Sequence, residues 1–249
     1  MAGAFAGRLL AALLPCNCVL CGAGGPTLLC PGCHCQFFAA AVPRCPICAN
    51  PLPPAAAPGQ LVPCGRCQTE RPAFDATFVA ADYALPVDRL VLQLKFARQL
   101  ALARLFGGLL ADAVLRSEAE ASEPHLPRPA LLCPVPLGLQ RLSERGFNQA
   151  LEIARPLGKA LGIAVHARLA VRVRETSAQS STPHGARQAN MARAFAIPDR
   201  ALVEGRHIGL VDDVMSSGQT LQELAATLKR YGAARVTNYV FARTPPNTN

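Results

Sequence analysis

Fifteen residues near the C-terminus, HIGLVDDVMSSGQTL (207–221), gather groups able to do chemistry. The run 208–211 is short, apolar and β-branched, the pattern of a buried strand. Asp212 and Asp213 follow where a parallel strand is expected to end, at the edge of an open sheet where ligands bind. Ser216, Ser217, Gly218, Gln219 and Thr220 lead into a helical pattern with Leu221, Leu224, Leu228 and Tyr231 on one face. Small hydroxyl residues and a glycine before a helix expose backbone N–H donors at its positive end, which suits a phosphate. Two carboxylates beside such a cradle suit a ligand with vicinal hydroxyls, a phosphate and a bound divalent cation. A competing reading is local: Thr220 with Glu223 also matches a helix capping box.

A second chemistry sits at the other end. Of eleven cysteines, ten lie in residues 16–67, and eight form four C-x-x-C knuckles: CVLC (18–21), CPGC (30–33), CPIC (45–48) and CGRC (64–67). A C-x-x-C turn points two sulfurs at one ion, so a tetrahedral zinc held by four cysteines needs two such turns, and four turns make two sites. Consecutive pairing is expected, Cys18 and Cys21 with Cys30 and Cys33, and Cys45 and Cys48 with Cys64 and Cys67. Crossed pairing also satisfies the spacing, and four-cysteine sites hold iron as well as zinc. Cys16 and Cys35 fall outside the spacing, and Cys133 reads as a core residue in an apolar strand. With few aromatics and little helical pattern, the module depends on metal for its folding energy.

The elements that must position these groups follow from periodicity. FDATFVAADY (74–83) and ALLCPVP (130–136) read as strands, and 85–115 and 137–162 as helical stretches with a basic turn at the start of the latter. The segment 117–129 reads as a polar, proline-bearing loop. Strands alternating with helices predict a parallel α/β sheet flanked by helices over residues 71–249, behind a Cys-rich module of residues 1–70. No apolar run is long enough to span a bilayer. The N-terminal MAGAFAGRLLAALLP reads as a helix or strap rather than a signal peptide, and the cytoplasm is the expected location.

The formal charge of +9 is local. Residues 128–193 carry ten basic and three acidic side chains, while residues 1–70 carry a net +2 that falls to about −2 if eight thiolates hold two zinc ions. Arg141 and Arg145 follow the 130–136 strand and can reach the ligand-binding edge; Gly146 allows close backbone approach and Asn148 can donate or accept. Arginine suits bidentate phosphate contact, although arginines at a helix start are often simply solvated. His166, His184 and His207 read as ordinary surface or core histidines.

VDDVMSSGQT resembles the phosphoribosyl diphosphate (PRPP) motif of type I phosphoribosyltransferases, with Ser216 and Ser217 in place of the usual threonines. Together with CPVPL, RGFNQA, RVRETSAQS, HGARQAN and the N-terminal double zinc-ribbon module, it is similar to the ComF family of competence-associated proteins. The resemblance implies that Asp212 and Asp213 hold the ribose hydroxyls and that residues 216–220 hold the 5′-phosphate. It places Arg141, Arg145, Gly146 and Asn148 on the diphosphate side, and makes about 172–192 a hood carrying Arg174, Thr176, Gln179, Arg187 and Asn190. It implies two structural Zn2+ sites, Mg2+ with PRPP, and work in DNA uptake with single-stranded DNA and a ComF-type helicase or other uptake proteins as partners. The alternative is an active transferase passing ribose 5-phosphate from PRPP to a nitrogen acceptor. No general base and no acceptor pocket is identified by the sequence.

Overall fold

The computed structural model describes residues 16–39, 42–53, 62–120, 127–173 and 194–245. The N-terminal 1–15 segment and most of the expected hood, including Arg174, Thr176, Gln179, His184, Arg187 and Asn190, lie outside the described residues.

Five parallel strands form the main sheet: β3 (Ala76–Asp82), β4 (Leu131–Pro134), β5 (Ala164–Val165), β8 (His207–Met215) and β9 (Arg235–Arg243). Their order is β3-β9-β8-β4-β5. Two short antiparallel pairs stand outside it: β1 (Cys16–Asn17) with β2 (Gly24–Gly25), and β6 (Val171–Arg172) with β7 (Phe195–Ala196). The helices are α1 (Pro31–Phe38), α2 (Gly65–Thr69), α3 (Val87–Phe96), α4 (Ala101–Glu120), α5 (Leu139–Arg145), α6 (Gln149–Leu161) and α7 (Gln219–Arg230).

The chain leaves β4 through α6 to reach β5 on one side, and leaves β8 through α7 to reach β9 on the other. The winding therefore reverses between β4 and β8, which is where an open α/β sheet offers a crevice for a ligand. Alternating side chains of β8 and β9 divide between two cores. Val211, Tyr239 and Phe241 join α3, α4 and α6 in one; Ile208, Leu210, Val236 and Val240 join α7 in the other. The expected parallel α/β sheet is thus present.

Two boundaries differ from the sequence reading. Strand β8 does not stop before the acids but runs through them to Met215, because β9 continues to pair with it as far as Met215 opposite Arg243. Helix α4 runs to Glu120, into the segment read as a loop; Arg128 grips Glu118 with Nε at 3.1 Å and Nη2 at 2.7 Å, tying the end of this helix to the chain entering β4. Among the described residues no helix is long and apolar enough to cross a membrane.

Candidate functional site

Strand β4 last pairs at Pro134 opposite Val211, with one further bond from Val135 N–H to the Val211 carbonyl at 2.9 Å. Among the described residues β8 beyond that point has a strand neighbour only on its β9 side, and its final residues, with both acids, border the crevice. The two acids differ. Asp213 is buried at 2% exposure and its carboxylate is held from two helices: Lys95 Nζ of α3 lies 2.5 Å from Oδ2, and Gln149 Nε2 of α6 donates to Oδ1 at 3.0 Å. Gln149 in turn accepts from Arg145 Nη1 at 2.5 Å, and the Arg145 guanidinium lies 5.6 Å from the centre of the Phe96 ring. Asp212 is only partly buried, and its Oδ1 accepts from the Asp213 N–H at 2.9 Å. Burial and the neighbouring Asp213 carboxylate push the Asp212 carboxyl well above the usual carboxylate range, against the pull of Lys95.

The turn after β8 is built around Gly218, the N-cap of α7, which adopts φ 79°. A Cβ there would lie 2.6 Å from Met215 Cε, the movable end of that side chain, so it is the backbone conformation that calls for glycine. Thr220 lies inside the helix rather than at its cap, so the capping-box reading is not what the turn uses. Ser217 Oγ instead accepts from Gln219 N–H at 3.4 Å. From beneath, Arg243 at the end of β9 donates through Nη1 to the carbonyls of Met215 (2.9 Å), Ser216 and Thr244 (2.7 Å). Hydrogen-bond donors thus order the carbonyl side of the turn, as a phosphate cradle needs if its N–H groups are to face outward.

The opposite wall is the basic segment after β4, which forms α5 rather than a simple turn. Arg141 is exposed, while Arg145, one turn later, is partly buried, and desolvation lowers its tendency to hold a proton despite the nearby acids. Gly146 closes α5 in the left-handed region at φ 80°, with Arg98 Nη2 lying 3.9 Å from where its Cβ would be. Asn148 is the N-cap of α6: its Oδ1 accepts from Ala150 N–H at 3.0 Å and its Nδ2 donates to the Val135 carbonyl at 3.0 Å. Asn148 therefore fixes the wall to the end of β4. His207 bridges the Pro127 carbonyl and Thr237 Oγ1, and Cys133 is fully buried with its thiol pushed up to about 12 by desolvation, both structural positions. Lys95, Gln149, Phe96, Arg98 and Arg243 are not legible as site residues in the sequence.

Both cysteine clusters form, with the consecutive pairing: Cys18, Cys21, Cys30 and Cys33, then Cys45, Cys48, Cys64 and Cys67, each set with sulfurs within 4.8 Å of one another. Four sulfurs about 2.3 Å from one ion stand about 3.8 Å apart. Cys21 and Cys30 Sγ are 3.7 Å apart and Cys48 and Cys64 Sγ 3.6 Å, so the donor sets fit a tetrahedral metal. In each cluster the N–H of the third cysteine donates to the sulfur of the first, Cys30 to Cys18 at 3.4 Å and Cys64 to Cys45 at 3.3 Å. Burial opposes ionisation, yet these N–H donors bring Cys18 down to about 6 and Cys45 down to about 7. Cys16 and Cys35 belong to neither cluster.

Residues 143–248 match the family model of the phosphoribosyl transferase domain. Over 203 residues the chain is 36% identical to the DNA utilization protein YhgH of Salmonella typhi, covering 82% of this chain and 85% of that protein. It is 30% identical over 217 residues to competence protein F of Haemophilus influenzae, covering 86% of this chain and 90% of the relative. Among solved structures, the B. subtilis glutamine PRPP amidotransferase complexed with ADP and GMP overlaps 55% of this chain and 25% of its own, at 17% identity and a TM-score of 0.36.

Proposed function

The chain belongs to the ComF family, that of DNA utilization protein YhgH and competence protein F, and on that premise we propose that it binds PRPP with Mg2+ and serves in the handling of DNA taken up by the cell. The observation that carries the reading is the turn 216–220, set by Gly218 at the end of β8 where the sheet reverses its winding. Its N–H groups and the hydroxyls of Ser216, Ser217 and Thr220 take the 5′-phosphate. Asp212 faces the ribose hydroxyls, while Asp213, held by Lys95 and Gln149, supports it from beneath. Arg141 and Arg145, with Gly146 and the Asn148-anchored backbone, receive the diphosphate. Asp212 would stand beside Mg2+ bound together with PRPP, where the ion would supply charge neutralisation. Two structural zinc ions occupy the cysteine clusters, and the protein acts in the cytoplasm, where thiols stay reduced.

The same basic wall suits a nucleic-acid backbone. Arg141 and Arg98 are exposed, and Phe96, itself 72% exposed, is flanked by Arg145. Charged contacts beside one open aromatic face favour single-stranded DNA, presented by a ComF-type helicase or another uptake protein. The reading is one of PRPP binding, with transfer of the ribose phosphate to a nitrogen acceptor as the alternative.

Calorimetric titration with PRPP and Mg2+ tests the reading. Wild type binds and Asp212→Ala loses at least about tenfold in affinity, the scale of one charged hydrogen bond; a wild type that does not bind removes the claim. Single-stranded DNA affinity falls steeply with salt and further with Arg141→Ala/Arg145→Ala. Diphosphate release with any nitrogenous base would restore the transferase reading.

A further inference from the structure

The second cysteine cluster and the phosphate turn meet at one side chain. Arg243 is 4% exposed, and its Nε donates to the Cys48 carbonyl at 3.2 Å while Nη1 holds the carbonyls of Met215, Ser216 and Thr244. We propose that Arg243 is a positioning residue through which metal in the Cys45/Cys48/Cys64/Cys67 cluster fixes the turn that receives the phosphate. The proposal rests on the PRPP reading of that turn.

Three features carry it. A guanidinium is a rigid planar fork with donors only, so fixing its Nε end at Cys48 fixes where its Nη1 end can hold the turn. The Cys48 carbonyl is set by the knuckle, which ends at Ala49 in the left-handed region at φ 57°, a conformation that a residue with a Cβ avoids unless its surroundings impose it. Ala49 N–H donates to the Cys45 carbonyl at 2.8 Å and Arg44 Nη1 holds the Ala49 carbonyl at 3.2 Å, and closure of Cys45 and Cys48 on an ion would lock the same turn. Beside this bridge lies a cavity of about 540 Å3 lined by Cys48, Cys67, Ser217, Gly218, Gln219 and Arg243, so the turn has open space on this flank where other packing would otherwise support it.

Charge points the same way. Arg243 takes part in none of the ion pairs seen among the described residues, although the side chain is buried. A site holding a divalent ion between four thiolates carries a net charge of about −2, and that charge stands next to the guanidinium. The loaded cluster therefore both aims Arg243 and makes its burial tolerable. The first cluster is tied to the body differently: Arg116 Nη2 donates to the Phe38 carbonyl at 2.9 Å, at a position far in sequence from the turn.

The test uses the full chain, with Arg243→Met, Arg243→Lys, Cys67→Ser and Cys33→Ser, each characterised for bound zinc by mass spectrometry. The readouts are PRPP affinity with Mg2+ and hydrogen–deuterium exchange of the peptide spanning 214–222. Arg243→Met is expected to keep zinc in both clusters yet speed exchange at 216–218 and weaken PRPP by about tenfold or more, the loss expected for bonds to a charged donor. Arg243→Lys, which keeps charge without the fork, falls between. Cys67→Ser reproduces the Arg243→Met effect and adds little to it in the double variant, whereas Cys33→Ser leaves exchange at the turn unchanged. Unchanged exchange at 216–218 in both Arg243→Met and Cys67→Ser overturns the proposal. Faster exchange in a protein that never binds PRPP would leave the coupling standing and remove only the ligand assignment.

Discussion

The two faces of the sheet each carry one cluster of four cysteines, and they treat it differently. On the α3, α4 and α6 face, Cys18 and Cys33 are packed among core residues with Leu29 and Phe38, whose ring stands 6.2 Å from Phe241. That cluster is held chiefly as a piece of hydrophobic core, with the Arg116 bond to the Phe38 carbonyl as its polar tie. On the α7 face, Cys45, Cys48 and Cys67 also join the core, but polar bonds add to the packing: Thr77 Oγ1 donates to the Ile47 carbonyl at 2.7 Å, Arg44 pairs with Asp82 at 2.9 Å, and Arg243 holds the Cys48 carbonyl. Packing is non-directional and hydrogen bonds are not. The same ligand set can therefore support the fold on one face and set the position of a particular turn on the other.

Removing one ligand from each cluster separates the two roles most strongly. Cys33→Ser and Cys67→Ser each lose one zinc and lower the melting temperature by more than about 10 °C, since a structural zinc contributes directly to folding. Differential scanning calorimetry and metal analysis read both; at a temperature where both remain folded, only Cys67→Ser should lose PRPP affinity. Equal loss would erase the contrast between the faces.

The next effect concerns how the first face holds the acids. Lys95→Ala leaves Asp213 buried with one partner fewer and is expected to cost about 3 kcal/mol in urea unfolding, the scale of breaking a buried ion pair from one side. A cost under about 1 kcal/mol would mean that Asp213 does not depend on α3. Asn148→Ala removes a helix cap on the same face and should cost about 1 kcal/mol, with PRPP affinity reduced through movement of the Val135 backbone.

The smallest effect is a slope. Asp212 titrates above the ordinary carboxylate range, so across that window it is protonated in the folded protein and charged in the unfolded chain. Stability therefore falls as pH rises from the ordinary value toward the raised one. Affinity for Mg2+-PRPP, which needs the charged form, rises over the same window and levels off above it. Asp212→Asn should flatten both slopes; a binding profile that stays steep in that variant assigns the titration elsewhere.

The sequence made much of this visible, because short-range chemistry leaves short-range patterns. Four C-x-x-C spacings mark two four-cysteine sites, the fold alone decides consecutive over crossed pairing, and VDDVMSSGQT marks the acids and the turn. What it hid was long-range. Lys95 in the last turn of an amphipathic helix reads as a charge matched to the helix dipole, and only the packing of α3 brings it to Asp213. Arg243 reads as the end of a strand; its partners are 195 and 28 residues away and meet it only because β9 lies between β3 and β8. The local pattern ends the strand at the acids for a related reason, since no local signal tells how far a distant neighbour will keep pairing.

Gly218 has a consequence for sequence drift. With φ 79° its backbone favours glycine, whereas Ser216 and Ser217 need only keep a small hydroxyl. In a saturation library of 216–220 selected for function, position 218 should return glycine first and asparagine next, while 216 and 217 exchange serine with threonine. A Cβ at 218 meets only the movable end of Met215, so it is the backbone conformation that filters inheritance at this position.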